Sequence, residues 1–358
     1  HRMFFAVTLG SGEEYAGLQV ADYYLYWKRQ DNKMVLIEPN LDTRASGEAE
    51  VRESVKRIFT DRVVLDVPVV AMGPSGQPLI DMKALLLGNA NKFFGGSAAG
   101  ANPGLATLKS AKGFKDNVEI SYEMPTAGGR LKEFHWSISV MRDNPSYKPR
   151  EADERLGYFT TVYRDLSKWS DKEKWVRYIN RWQLEKRDPK LRVSPPKQAI
   201  VFYIEHTVPV RYRKFVREGI LEWNKAFEKV GISDAIEVYQ QDADTRAHMD
   251  KDPEDVNFNF VRWLANDQGT AIGPSRVHPL TGQIVDADII LTDGWIRHFW
   301  SQFNEIMPEL AMEGMSPETL AWLDRNPQWD PRIRLADPAK RDMLIAQRLR
   351  RGVAAYGG

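Results

Sequence analysis

Gln198-Ala199-Ile200-Val201-Phe202-Tyr203-Ile204-Glu205, followed by Pro209 and a helical pattern running to Gly231, is the stretch that decides the fold of this 358-residue chain. The first run is β-branched and aromatic without polar interruption, which reads as a buried strand. After Pro209 the period changes. Tyr212, Phe215, Val216, Gly219, Ile220, Trp223, Phe227 and Val230 recur at helical spacing, so they predict one continuous apolar stripe on a long helix that stops at Gly231. Downstream come Ala235 to Tyr239, an acidic loop to Asp255, Phe258 to Trp263, Thr270 to Val277 and Gln283 to Leu291, with His278-Pro279-Leu280-Thr281-Gly282 joining the last two. One helix among five strands predicts an α/β unit over 197–293, with the long helix packed on a mixed sheet.

Upstream, residues 1–165 read as a β-rich domain. Tyr23 to Trp27 and Met34 to Glu38 form a hairpin pattern, and Val63 to Met72 is apolar and β-branched. Val118 to Met124 and Phe134 to Val140 alternate with period two, which predicts one buried and one wet face. His135 falls on the wet side and reads as a solvated position. Asn89 to Lys115, rich in Gly, Ala and Asn, reads as a long surface loop. Residues 166–196 read as a connection with a helix at Trp169 to Asn180 and an extended Arg181 to Lys186, closed by Pro195-Pro196. Residues 294–358 read as helical, with helices at Pro317 to Leu323 and Ala339 to Val353. The fold class is therefore α+β.

Composition bounds the function. Fifty Lys plus Arg against 49 Asp plus Glu give a formal charge of +1, so no global field argues for nucleic acid. The absence of Cys removes thiolate chemistry, and no stretch has the length and apolarity of a membrane span. Met3 to Leu9 reads as a strand already under way, as expected of a piece of a longer protein. Trp175 to Trp182 interleaves aromatics with Arg and reads as ordinary packing, with the Arg stems covering apolar surface.

The six His residues form no His-Glu-x-x-His pair, and phosphate loops, nucleophile elbows and dinucleotide fingerprints are absent from the sequence. Asp286 and Asp288 share a strand face with Asp293 close behind. They read as solvated carboxylates rather than as a cation site.

Pro209 to Gly231, with Ala235-Ile236-Glu237-Val238, resembles a bacterial family of zinc-dependent metalloproteases of metzincin type that carries a β-rich N-terminal region. Further similarity lies in Gly273-Pro274-Ser275-Arg276-Val277, Thr281 to Ile289, Arg181 to Lys186 and Leu156 to Phe159. The resemblance implies that 197–293 is the upper subdomain of a peptidase. Thr270 to Val277 would be its antiparallel edge strand, with Ala271, Ile272, Gly273, Pro274 and Ser275 lining the substrate cleft. It implies a peptide or protein substrate, a secreted or periplasmic setting, and zinc in the complete protein. The family's zinc helix lies C-terminal to everything in this chain, so catalytic and metal residues are expected outside it, in the other half of the catalytic domain, and the chain alone is expected to be inactive. A different class of function, a non-catalytic peptide-binding module using the same edge, fits the same residues. The β-rich half could also restrain or chaperone the peptidase half.

Overall fold

The computed structural model describes residues 2–13, 16–302, 306 and 314–356, with side chains to residue 350. Alternation along the N-terminal strands builds one antiparallel sheet. Its strands are β1 (Arg2–Leu9), β2 (Gln19–Gln30) and β3 (Lys33–Glu38), then, past a short β4 (Thr43–Arg44) and helix α1 (Ala49–Ile58), β5 (Arg62–Met72) and β6 (Pro78–Ile80). Two short helices follow, α2 (Met82–Leu86) and α3 (Ala90–Phe94), before β7 (Thr107–Gly113), β8 (Asn117–Pro125) and β9 (Leu131–Val140). The order is β6-β5-β3-β2-β1-β9-β8-β7. The chain thus starts in the middle of its own sheet and returns to pair β9 with β1, Phe5 opposite Ile138.

One face of this sheet carries the main apolar core, and of the segment expected to be a surface loop the first part, Ala90 to Ala98, covers it, while the last part is the strand β7. Phe93 and Phe94 are 1% and 2% exposed. Phe93 stacks on Phe5 at 6.0 Å, while Phe94 sits edge-on to Phe134 at 4.9 Å and to Trp136 at 5.0 Å. Leu85, Leu86, Leu87, Ala90 and Ala98 complete the plug. The small Ala90 and Ala98, part of what reads as loop, instead let short helical turns pack closely on the strands. Asn102 caps the last of them, its side chain accepting from the Gly104 amide at 3.0 Å.

A small second sheet runs β11-β10-β4, from β10 (Thr160–Asp165) and β11 (Trp175–Ile179) with β4, the short helix α4 (Asp171–Lys174) lying between β10 and β11. The helix expected over Trp169 to Asn180 is therefore a single turn followed by a strand. Trp175-Val176-Arg177-Tyr178-Ile179 alternates with period two and pairs with Thr160 to Arg164, and this pairing overrides its helical reading.

The segment after the prolines forms β12 (Ile200–Ile204), helices α5 (Val210–Leu221) and α6 (Trp223–Lys229), β13 (Ile236–Gln240), β14 (Asn259–Leu264), β15 (Ser275–Val277), β16 (Ile284–Ala287) and β17 (Ile289–Thr292). The sheet order is β13-β12-β14-β17, with β12 parallel to both its neighbours. The expected helix is present, broken only at Glu222, but its buried face differs from the expected stripe. Phe215, Trp223 and Val230 are 67%, 63% and 71% exposed. The face turned inward holds Tyr212, Val216, Ile220, Asn224 and Phe227. Tyr212 stacks on Trp263 at 5.1 Å, and the Asn224 amide clamps the Ile236 main chain, accepting at 2.8 Å and donating at 2.9 Å. A polar residue that bonds a strand replaces one apolar contact, so the stripe rotates.

Residues 1–263 with 272–290 form one compact unit, and 264–271 with 291–358 another. In the second unit, α7 (Asp293–Ser301) is capped by Thr292, which accepts from the Trp295 amide at 3.1 Å. Helices α8 (Pro317–Arg325), α9 (Pro331–Arg334) and α10 (Pro338–Tyr356) follow, in the region read as helical. Their centre is Asp330, fully buried and held by Arg332 at 2.6 Å. Among the described residues no helix is long and apolar enough to cross a membrane.

Candidate functional site

A cavity of about 860 Å³ opens within the first unit. One side is Gly273, Pro274, Ser275 and Val277. The facing walls come from the outer face of β1 and β2 (Phe4, Asp22, Tyr24), the loop Glu38 to Asp42, and Phe159 to Val162. Phe159 is 88% exposed there. Of the five residues expected to line a substrate cleft, Gly273, Pro274 and Ser275 line this cavity. Ile272 instead pairs with Ile290, donating at 2.9 Å and accepting at 2.6 Å, and Ala271 belongs to the second compact unit.

The register fixes which way the main chain points. Ile272 exchanges both hydrogen bonds with Ile290, and the Pro274 carbonyl accepts from the Asp288 amide at 3.1 Å. Ser275 stands opposite Ala287. In an antiparallel ladder successive residues direct their polar main-chain groups to opposite sides, so those of Gly273 and Ser275 point away from the sheet. A Cβ built on Gly273 would meet nothing within 4 Å. Among the described residues β15 pairs with β16 alone, so its other edge carries no strand, and Gly273 to Ser275 line the cavity.

Behind that edge lies a buried polar layer. Asn117, Glu119 and Ser121 of β8 and His135, Ser137 and Ser139 of β9 share the sheet face opposite the apolar core. Glu119 is 1% exposed; its Oε1 accepts from Ser137 Oγ and Asn117 Nδ2, both at 2.5 Å, and its Oε2 accepts from His135 Nε2 at 2.6 Å. Arg276 of β15 donates to Ser137 Oγ at 2.6 Å and to Ser139 Oγ at 3.1 Å, and its Nε stands 3.2 Å from Asp286 Oδ2. Asp286 Oδ1 is buried without a hydrogen-bond partner.

Two expectations are corrected here. His135 is not solvated: its side chain is 15% exposed and bonded to Glu119. Asp286, 7% exposed, is not a surface carboxylate either. The polar face of an alternating strand pair looks the same in sequence whether it meets water or a second layer. One signal could have separated the two, because small hydroxyls at Ser121, Ser137 and Ser139 suit a covered face better than a solvated one, where long charged side chains prevail. Glu119 and Arg276 had no assigned role in the sequence and are central to the layer.

Burial pushes the Asp286 carboxyl well above its usual range, and the nearby Asp288 charge adds to this against the opposing pull of Arg276. Asp288 is raised from 3.8 to about 6, again chiefly by burial, although its Oδ1 accepts from the Phe260 amide at 2.8 Å. A carboxyl that binds its proton more tightly when folded stabilises the fold at low pH; that advantage fades as pH rises from near 4 through about 6. Asp288→Asn keeps the acceptor for Phe260 and removes the charge. Urea unfolding should show it more stable than the native chain by about 2 kcal/mol at pH 7.5 and equal to it at pH 4.

Residues 17–187 match a family profile described as a domain of unknown function, DUF5117. No curated protein matches the chain. The DUF5117 region takes in β2 to β11, and so supplies Asp22, Tyr24, Phe159, Glu119 and His135, while the open edge at 273–275 lies outside it. Its description assigns no activity. Among the described residues no group of three or more His, Cys, Asp or Glu could hold a metal ion.

Proposed function

We propose that this chain supplies the substrate-holding edge of a zinc-dependent metalloendopeptidase, with an extended polypeptide adding as a further strand along Gly273 to Ser275. The observation that supports this reading is the open antiparallel edge beside a cavity of about 860 Å³. Main-chain pairing supplies affinity that is independent of sequence, and the walls act on alternate side chains. Phe159 offers an exposed aromatic surface to one such side chain, and Pro274, whose missing N–H lies on the sheet side, costs the edge no donor. The described residues do not fit zinc. In this reading the metal and its ligands come from other sequence, and this chain binds and orients the polypeptide.

Ser275→Pro tests the pairing, because it deletes a cleft-facing N–H while leaving the bonds to β16 intact. Binding of a randomised decapeptide library, read by fluorescence anisotropy, should weaken about fivefold with little change in melting temperature. Undiminished binding would remove the edge from the account.

A further inference from the structure

We propose that Arg276 is the positioning residue of the cleft edge: it fastens the strand carrying Gly273 and Ser275 to β9 through a buried acidic layer whose charge state sets how firmly that strand is seated. The inference rests on the cleft reading for its consequence, but its geometry stands apart. Arg276 follows Ser275 directly and points to the other side of the strand. Its guanidinium spans two β9 hydroxyls and Asp286, so it joins the N-terminal sheet, β15 and β16 at one point.

The groups facing Asp286 come from every element around it. Arg276 lies on β15, Asp288 follows on its own segment, and Glu119 of β8 is held by His135 of β9. Arg276 also acts on Asp22 of β2, and Glu205 and Arg262 act on Asp288. Five carboxyls (Asp22, Glu119, Glu205, Asp286 and Asp288) thus share the cations Arg276 and Arg262, with His135 bonded to Glu119. When Asp286 and Asp288 hold protons, neither adds a charge to the layer, and the bonds from Arg276 to Ser137 and Ser139 seat the strand. When both ionise, two enclosed negative charges face each other and Glu119, and an unpartnered oxygen on Asp286 gains charge without a donor. The relief is for β15 and β16 to lift from β9, which loosens the cleft edge as pH rises and these carboxyls ionise.

Hydrogen exchange of the full chain over 272–290, at pH 5.5 and 7.5 with times scaled for intrinsic exchange, tests this. Protection should fall at least tenfold at the higher pH while β13, residues 236–240, changes little. Asp286→Asn should shrink the fall, leaving only the part that Asp288 contributes, and should that variant not fold, the native profile against β13 decides alone. Flat protection over 272–290, or a fall matched by β13, overturns the proposal. Library binding separates the two readings: pH-dependent protection without any peptide bound leaves the positioning role standing and removes the cleft. Pairing that is equal at both pH values with flat protection does the reverse.

Discussion

Phe93→Ala should lower the unfolding free energy of the N-terminal sheet by about 4 kcal/mol, the cost of emptying a fully enclosed aromatic site. Phe93 lies flat on Phe5, meets Tyr23 edge-on at 5.8 Å and Trp136 at 6.5 Å, and has no water-facing side into which neighbours could collapse. The Tyr23 hydroxyl donates to the Phe93 carbonyl at 2.8 Å, so the variant also loosens the anchor of α3 on β2. Urea unfolding measures it. A change below about 1 kcal/mol would return residues 89–106 to the status of a surface loop.

Arg276→Met should cost about 3–5 kcal/mol at a pH high enough to ionise Asp286, because it strands that carboxylate in a low-dielectric layer without its cation. The cost should shrink at a lower pH, where the raised carboxyl takes up a proton and leaves no charge to strand. The methionine stem still fills the space between β15 and β9, so packing loss is small by comparison. Urea midpoints at the two pH values separate the electrostatic part from the steric part; equal losses at both would assign the effect to packing.

The strands were legible where period and burial agree. Phe134 to Val140 alternates and pairs as its pattern predicts, and Ile200 to Ile204 reads as buried and lies inside its sheet. The plug was not legible, because short helical turns at Ala90 to Phe94 are too brief to show a helical period and their small residues imitate a loop. The stripe on the long helix was readable as helical but not in its rotation. Asn224 contributes to the inward face through two hydrogen bonds, which a hydrophobic pattern does not register. At the candidate site, Gly273 to Ser275 came from resemblance, and the structure adds the direction of their main chain. The buried layer was hidden because Arg276 and Asp286 reach Glu119's sheet only in three dimensions, across more than 130 residues of sequence.

The claim at the centre of this account is that an extended polypeptide pairs with the edge at Gly273 and Ser275. Amide exchange at single-residue resolution, with and without saturating decapeptide library at pH 5.5, addresses it directly. Protection gained at Ser275 and Gly273, with Ile272 and Asp288 unchanged because their amides already bond within the sheet, is the expected result. Peptide binding that leaves both edge amides exchanging as in the free chain would contradict it.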